Sequence, residues 1–206
     1  MGRRAFAQLP QSILWKGRWR RTVFPLIVVV VAGCISLLDR SQQPPSSDDW
    51  QRYHDQSFAV SRVVDGDTLD IEAPDGDKPV TRIRLWGVDT PEVAHGAVST
   101  MHFGEQAKQF ARQTLEGRRV HIVLSPKKSR GKYGRLLAYV YLERGGAMFN
   151  EMLLDQGFAY ADARFRHHYY DRFADAEKHA RRRGAGLWAD VSINKMPKWK
   201  QRRERE

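Results

Sequence analysis

Short alternating runs of apolar and polar residues fill the first part of residues 56–190. Phe58 to Val64 (FAVSRVV) is rich in β-branched positions and stops at Asp65-Gly66-Asp67, a turn signal. Thr68 to Glu72 (TLDIE) alternates as a half-buried strand does, and Pro74-Asp75-Gly76-Asp77 turns the chain again. In Val80 to Trp86 (VTRIRLW), Ile83 and Leu85 share one face while Arg82, Arg84 and Trp86 share the other. The period then lengthens. Phe103, Ala107, Phe110, Ala111 and Leu115 recur at helical spacing, and Gly117 closes the helix. Val120 to Leu124 and Arg135 to Leu142 read as two more strands. A short helix over 150–156 and a longer one over 169–182 follow, each with a glycine just beyond it.

Strands in a meander, interrupted by helices, do not make an alternating parallel β/α architecture. They predict an α+β domain: a five-stranded β-barrel of the OB type with three packed α-helices, spanning residues 56–190.

A different pattern precedes this domain. Residues 22–38 carry no charge, whereas residues 1–21 carry six basic and no acidic residues. An uncharged run of that length behind a basic end predicts a transmembrane signal-anchor, basic side in the cytoplasm and the domain outside it. Val31-Ala32-Gly33-Cys34 also resembles a bacterial lipobox, so lipidation at Cys34 is the alternative. Both readings leave the domain extracytoplasmic and on a membrane. Residues 39–55, polar with paired prolines, read as a flexible linker, and residues 191–206 as a basic tail.

Composition narrows the chemistry. A single cysteine excludes an intrachain disulfide framework and a cysteine-rich metal site. The net charge of +11 is concentrated at the two ends, so it argues only weakly for nucleic-acid binding by the middle. Within the domain, Arg118, Arg119, Lys127, Lys128, Arg130, Lys132 and Arg135 form a run without an acid, a candidate phosphate-tracking stripe.

The candidate centre is made of carboxylates and arginines. Asp67 ends the first turn. Asp89 lies after the third strand in Gly87-Val88-Asp89-Thr90-Pro91-Glu92. Two carboxylates at strand ends can share one hard cation, and a third at Glu92 can ligate it or take a proton from water. Arg84 and Arg135 add planar forks that grip phosphate oxygens.

These motifs together resemble the staphylococcal nuclease (thermonuclease) family. The matching features are Asp65-Gly66-Asp67-Thr68, Arg84 through Glu92, and Lys132-Tyr133-Gly134-Arg135 with Leu137-Ala138-Tyr139. Asn150-Glu151, Gln156-Gly157 and Gly186-Leu187-Trp188 follow in order, so the likeness covers roughly residues 57–189. The resemblance implies a Ca2+-dependent endonuclease acting on DNA and RNA. It implies metal ligation by Asp67, Asp89 and the Thr90 carbonyl. It further implies Glu92 as general base and Arg84 and Arg135 on the phosphate, with 3′-phosphate products. Lys132, Tyr133 and Phe165 are the candidate substrate contacts; where the family stacks its nucleotide on two tyrosines, this chain has Ala163 and Phe165. A monomer with no protein partner is expected. The alternative is a non-catalytic OB module that binds nucleic acid or protein at the membrane.

Overall fold

The computed structural model describes residues 47–94 and 100–206. The basic segment 1–21, the apolar segment 22–38 with Cys34, and residues 39–46 lie outside the described residues. Among the described residues, no helix is long and apolar enough to cross a membrane.

Five strands form a closed barrel: β1 (Gln56–Asp65), β2 (Thr68–Ile71), β3 (Thr81–Leu85), β5 (Arg119–Leu124) and β6 (Leu136–Tyr141). Their order around the barrel is β1-β2-β3-β6-β5, with β5 returning to pair with β1. All neighbours are antiparallel except β3 and β6, which are parallel. This is the five-stranded Greek-key barrel expected of an OB fold. The alternation read in the sequence holds on β3, where Thr81, Ile83 and Leu85 are buried, Arg82 is exposed and Arg84 is half-buried. Val60, Leu69, Ile71, Ile83, Ile122 and Val140 fill the barrel interior at no more than 1% exposure. Closure removes the free edges that an open sheet of this size would present.

Helices α2 (Gly104–Leu115), α3 (Phe149–Asp155) and α4 (Tyr170–Arg182) occupy the three predicted positions. Each turns a small apolar stripe inward, as Ala107, Ala111 and Leu115 do from α2. A second ladder joins β4 (Val88–Asp89) to β7 (Tyr160–Ala161).

Two boundaries differ from the sequence reading. Residues 47–55 are not linker. Ser47–Tyr53 is a helix, α1, and Tyr53 is wholly buried, its hydroxyl 3.0 Å from Thr81 Oγ1. The seven-residue helix offered too little periodicity to register beside a proline-rich stretch. The chain beyond 190 is not a loose tail either. It forms a 3-10 turn (Ile193–Lys195) and a last helix, α5 (Lys198–Arg203), and buries Met196 and Trp199. Its many charges suggested solvent, but Lys200 and Arg181 pair with Glu177 and Glu204 across α4 and α5. The barrel therefore carries five α-helices among the described residues, not three.

Candidate active site

Strand register assembles the site. Thr68 on β2 pairs with Arg84 on β3, which sets Arg84 beside the residue that follows Asp67. Arg84 pairs in turn with Leu137 on β6, two residues after Arg135. Arg135 thus enters the same end of the barrel, where its Nη1 lies 3.4 Å from Thr68 Oγ1. Residues far apart in sequence are brought together by hydrogen-bonded neighbours, without any long loop.

The Asp65–Thr68 turn is fastened to the Asp89–Glu92 segment. The Thr90 backbone N–H donates to Asp67 Oδ2 at 2.9 Å, and Thr68 Oγ1 donates to Asp67 Oδ1 at 3.0 Å. Gly66 packs directly under Thr90. A Cβ there would lie 2.9 Å from the threonine Cγ2 and Oγ1, closer than atoms tolerate. Gly87, at φ +81°, makes the turn that releases the chain from β3 into β4. There the Gly87 carbonyl accepts from Asp162 N at 2.9 Å.

Arg84 is central. Its side chain is 13% exposed, with Nη1 paired to Asp67 Oδ2 and Nη2 to Asp89 Oδ1 at 2.6 Å. One guanidinium thus bridges the two aspartates. Burial draws Arg84 below its ordinary value. Attraction to Asp89 opposes that, Arg135 repels it, and Asp162 and Glu92 attract it. Glu92 keeps access to solvent, yet partial desolvation raises its carboxyl above the ordinary value, and repulsion by Asp65 and Asp89 adds to the rise.

The chemistry of the donor set is a test of metal fit. Every donor is oxygen, and Asp67 and Asp89 are both buried, at 5% and 8% exposure. Hard oxygen donors suit a divalent alkaline-earth cation and not a soft one. Among the described residues, no three His, Cys, Asp or Glu side chains form a metal cage. The candidate set is therefore partial: two carboxylates with a backbone carbonyl.

The surrounding cleft has a volume of about 660 Å³. Asp67, Arg84, Asp89, Glu92, Lys132, Tyr133, Arg135 and Phe165 all line it. Thr90 joins the group through its N–H bond to Asp67. Tyr133 is 76% exposed and Phe165 51%, so both present aromatic surface at the rim. The Lys132 ammonium and the Arg135 guanidinium flank the Tyr133 ring at 5.6 and 5.9 Å.

Residues 82–190 match the family described as "Staphylococcal nuclease homologue". The thermonuclease of Staphylococcus hyicus is 32% identical over 168 residues, 80% of this chain and 96% of that one. This chain belongs to the staphylococcal nuclease family. The thermonuclease of Staphylococcus intermedius is 35% identical over 136 residues, 65% of this chain and 76% of its own. The micrococcal nuclease of Shigella flexneri is 32% identical over 153 residues, 68% and 78% of the two chains.

Within this staphylococcal nuclease domain, the proposed basic stripe does not survive intact. Arg130 turns away from the cleft to pair with Asp49 at 2.7 Å and Asp75 at 2.6 Å, and those bonds hold it well above the usual arginine value. Its partner Asp49 lies on α1, in the stretch read as linker, so the pairing left no local sign. Lys128, Lys132 and Arg135 do face the cleft.

Four neighbours were missed. Trp86 stacks under Phe165, with ring centroids 5.8 Å apart. Arg164 is gripped by both oxygens of Asp162 at 2.8 Å and reaches Asp89 Oδ1 at 3.2 Å. Trp199 donates its Nε1–H to Asp89 Oδ2 at 2.7 Å. Trp86 was visible as the continuation of the Arg82/Arg84 face. Nothing local marked Asp162, Arg164 or Trp199, because β7 is two residues long and α5 lies in a run of charge.

Proposed function

We propose that the protein is a calcium-dependent nuclease that hydrolyses phosphodiester bonds of DNA and RNA. The observation that carries the reading is the meeting of Asp67, Asp89 and Glu92 with Arg84 and Arg135 in one cleft. The names of the thermonuclease and micrococcal nuclease relatives support it.

Asp67, Asp89 and the Thr90 carbonyl would hold the cation. Bound there, calcium would supply positive charge beside the phosphate and offset the negative charge of the aspartates. Arg84 and Arg135 bind the phosphate oxygens and stabilise the added negative charge of the transition state; losing one such donor typically costs about 10²–10³ in rate. Glu92, its carboxyl raised above the ordinary value chiefly by desolvation, takes a proton from the attacking water. Water oxygen bonds to phosphorus as the bond to the 5′-oxygen breaks. The 5′-oxygen gains a proton, leaving a 3′-phosphate and a 5′-hydroxyl. Tyr133 and Phe165 stack on bases, which every base permits, and Lys132 contacts a neighbouring phosphate.

One chain supplies every side chain that this mechanism uses, so the reading calls for no second subunit and we take the protein as a monomer. Residues 22–38 tether it to a membrane, as a signal-anchor or through a lipid on Cys34, and the domain works outside the cytoplasm. Calcium is abundant there. The deciding experiment incubates the chain with single-stranded DNA and calcium, and in parallel with a chelator. Calcium-dependent cutting with 3′-phosphate ends is expected. Intact DNA that the folded protein still binds overturns the enzyme and leaves a binding module.

A further inference from the structure

Helix α5 and the segment before it reach the cleft through one side chain. The Trp199 indole packs with Tyr160, Leu187 and Met196 in a small core separate from the barrel, and is 9% exposed. Its Nε1–H lies 2.7 Å from Asp89 Oδ2. An indole carries a single donor, and this one is spent on a carboxylate of the candidate metal site. Asp89 Oδ1 is the oxygen that contacts Arg84, whose other nitrogen contacts Asp67. Oδ1 therefore points toward the shared centre, while Trp199 takes the other oxygen and fixes the carboxylate plane.

The contact is braced from several sides. Lys200 and Glu177, both under 10% exposed, form an ion pair, and the second Glu177 oxygen accepts from Ala161 N at 2.7 Å on β7. β7 is the strand paired with Asp89. Arg181 grips both oxygens of Glu204 at 2.9 and 3.0 Å. Arg203 Nη1 donates to the Ala163 carbonyl at 3.0 Å. Arg164 lies over the Trp199 ring at 4.8 Å while reaching Asp89 Oδ1. A tail that merely covered apolar surface would not need a buried ion pair, an indole hydrogen bond and a stacked arginine converging on one carboxylate.

We propose that Trp199 is a positioning residue for Asp89, so that residues 191–206 complete the metal site. Resting on the calcium nuclease reading above, the idea assigns to α5 the task of holding Asp89 ready for the cation. A ligand whose free oxygen is held by a neighbour need not be ordered when the metal arrives. Losing such a neighbour typically costs about 10–100-fold in metal affinity or activity.

The test compares the full chain with W199F, which keeps an aromatic ring and loses the N–H. Calcium binding is measured without substrate by calorimetry, and cleavage is measured across a calcium titration. The expected result is a calcium dissociation constant raised about tenfold or more. The calcium needed for half-maximal cleavage rises in step, kcat at saturating calcium falls less, and the melting temperature in chelator changes little. W199H, which restores a ring N–H, recovers part of the affinity. Equal calcium affinity in the full chain and W199F overturns the proposal while leaving the nuclease reading intact. A full chain that neither binds calcium nor cuts overturns both. Should W199F not hold its fold, indole 15N labelling of the unaltered chain decides. The Trp199 N–H signal, assigned through its neighbours Leu187 and Met196, must be protected from exchange and must shift on calcium addition; a Trp199 signal that exchanges freely or does not move overturns the proposal.

Discussion

Thr90 and Asp67 are joined by a 2.9 Å hydrogen bond from a backbone N–H to a carboxylate, across 23 residues of sequence. The bond ties the turn after β1 to the segment after β4, so the two candidate ligand loops form one unit. It exists because Gly66 lets the threonine side chain sit directly on the turn.

Gly66→Ala is therefore expected to push the loops apart. Its Cβ would meet Thr90 at 2.9 Å, and such overpacking typically costs about 1–3 kcal/mol. Adding Thr90→Ala removes two of the three contacting atoms and should restore part of the stability. Urea denaturation of the two single variants and the double variant measures the coupling. Additive effects would mean that Gly66 and Thr90 do not press on each other.

Glu92→Gln and Arg84→Lys separate proton transfer from phosphate binding. Glutamine cannot accept the proton, so turnover should fall by about 10²–10⁴ while substrate binding is largely kept. Lysine lacks the planar fork that Arg84, now on Asp67 and Asp89, would turn to the phosphate oxygens once a cation neutralises those aspartates. Arg84→Lys should lose about 10²-fold or more in kcat/KM. Single-turnover cleavage together with DNA binding in chelator checks both. A Glu92→Gln protein that cuts at the normal rate removes Glu92 from the mechanism, and near-normal Arg84→Lys makes Arg84 structural.

The barrel was legible because each of its strands carries its own signal: alternation in VTRIRLW, the turn at Asp65-Gly66-Asp67, and Gly117 ending α2. The residues at the cleft, Asp67, Arg84, Asp89, Glu92 and Arg135, sit in or beside those strands, so register alone brings them together. Asp162, Arg164 and Trp199 were not legible. Their meaning depends on Asp89, more than seventy residues upstream, and no local period reports a partner that distant. Arg130 misled for the same reason. Seven cations without a local acid look like a stripe until α1 folds back and delivers Asp49.

That return of α1 makes a truncation at Gln56 costly. Such a chain loses Tyr53, wholly buried, and Asp49, which accepts from Arg130 and from Ser129 Oγ at 2.8 Å. Breaking a buried pair typically costs about 3–5 kcal/mol, less where one partner is partly exposed as Arg130 is. A domain starting at residue 56 should melt well below one starting at residue 43. D49N in the longer chain should show part of the loss. Equal melting temperatures would place α1 outside the cooperative unit.

His167 predicts how stability responds to acid. It lies beneath the β3–β4 turn, close enough to Gly87 that a Cβ there would touch its ring, with Nδ1 3.2 Å from Tyr139 Oη. Burial lowers its value from 6.5 to about 4; Asp162 and Asp171 attract the protonated ring, and His168 repels it. In the unfolded chain the imidazole takes a proton as pH falls through 6.5, whereas the folded protein resists until about 4. The unfolded state therefore binds more protons in that window, and stability drops as pH falls through it. Above it the contribution is constant. Allowing for partial exposure of the ring, the loss at pH 5 is on the order of 1 kcal/mol. Denaturation in chelator at pH 8, 6 and 5 should show it, and H167F should flatten the slope across that range whatever it does to stability at pH 8. An unchanged slope in H167F would assign the acid response to the carboxylates of the cleft.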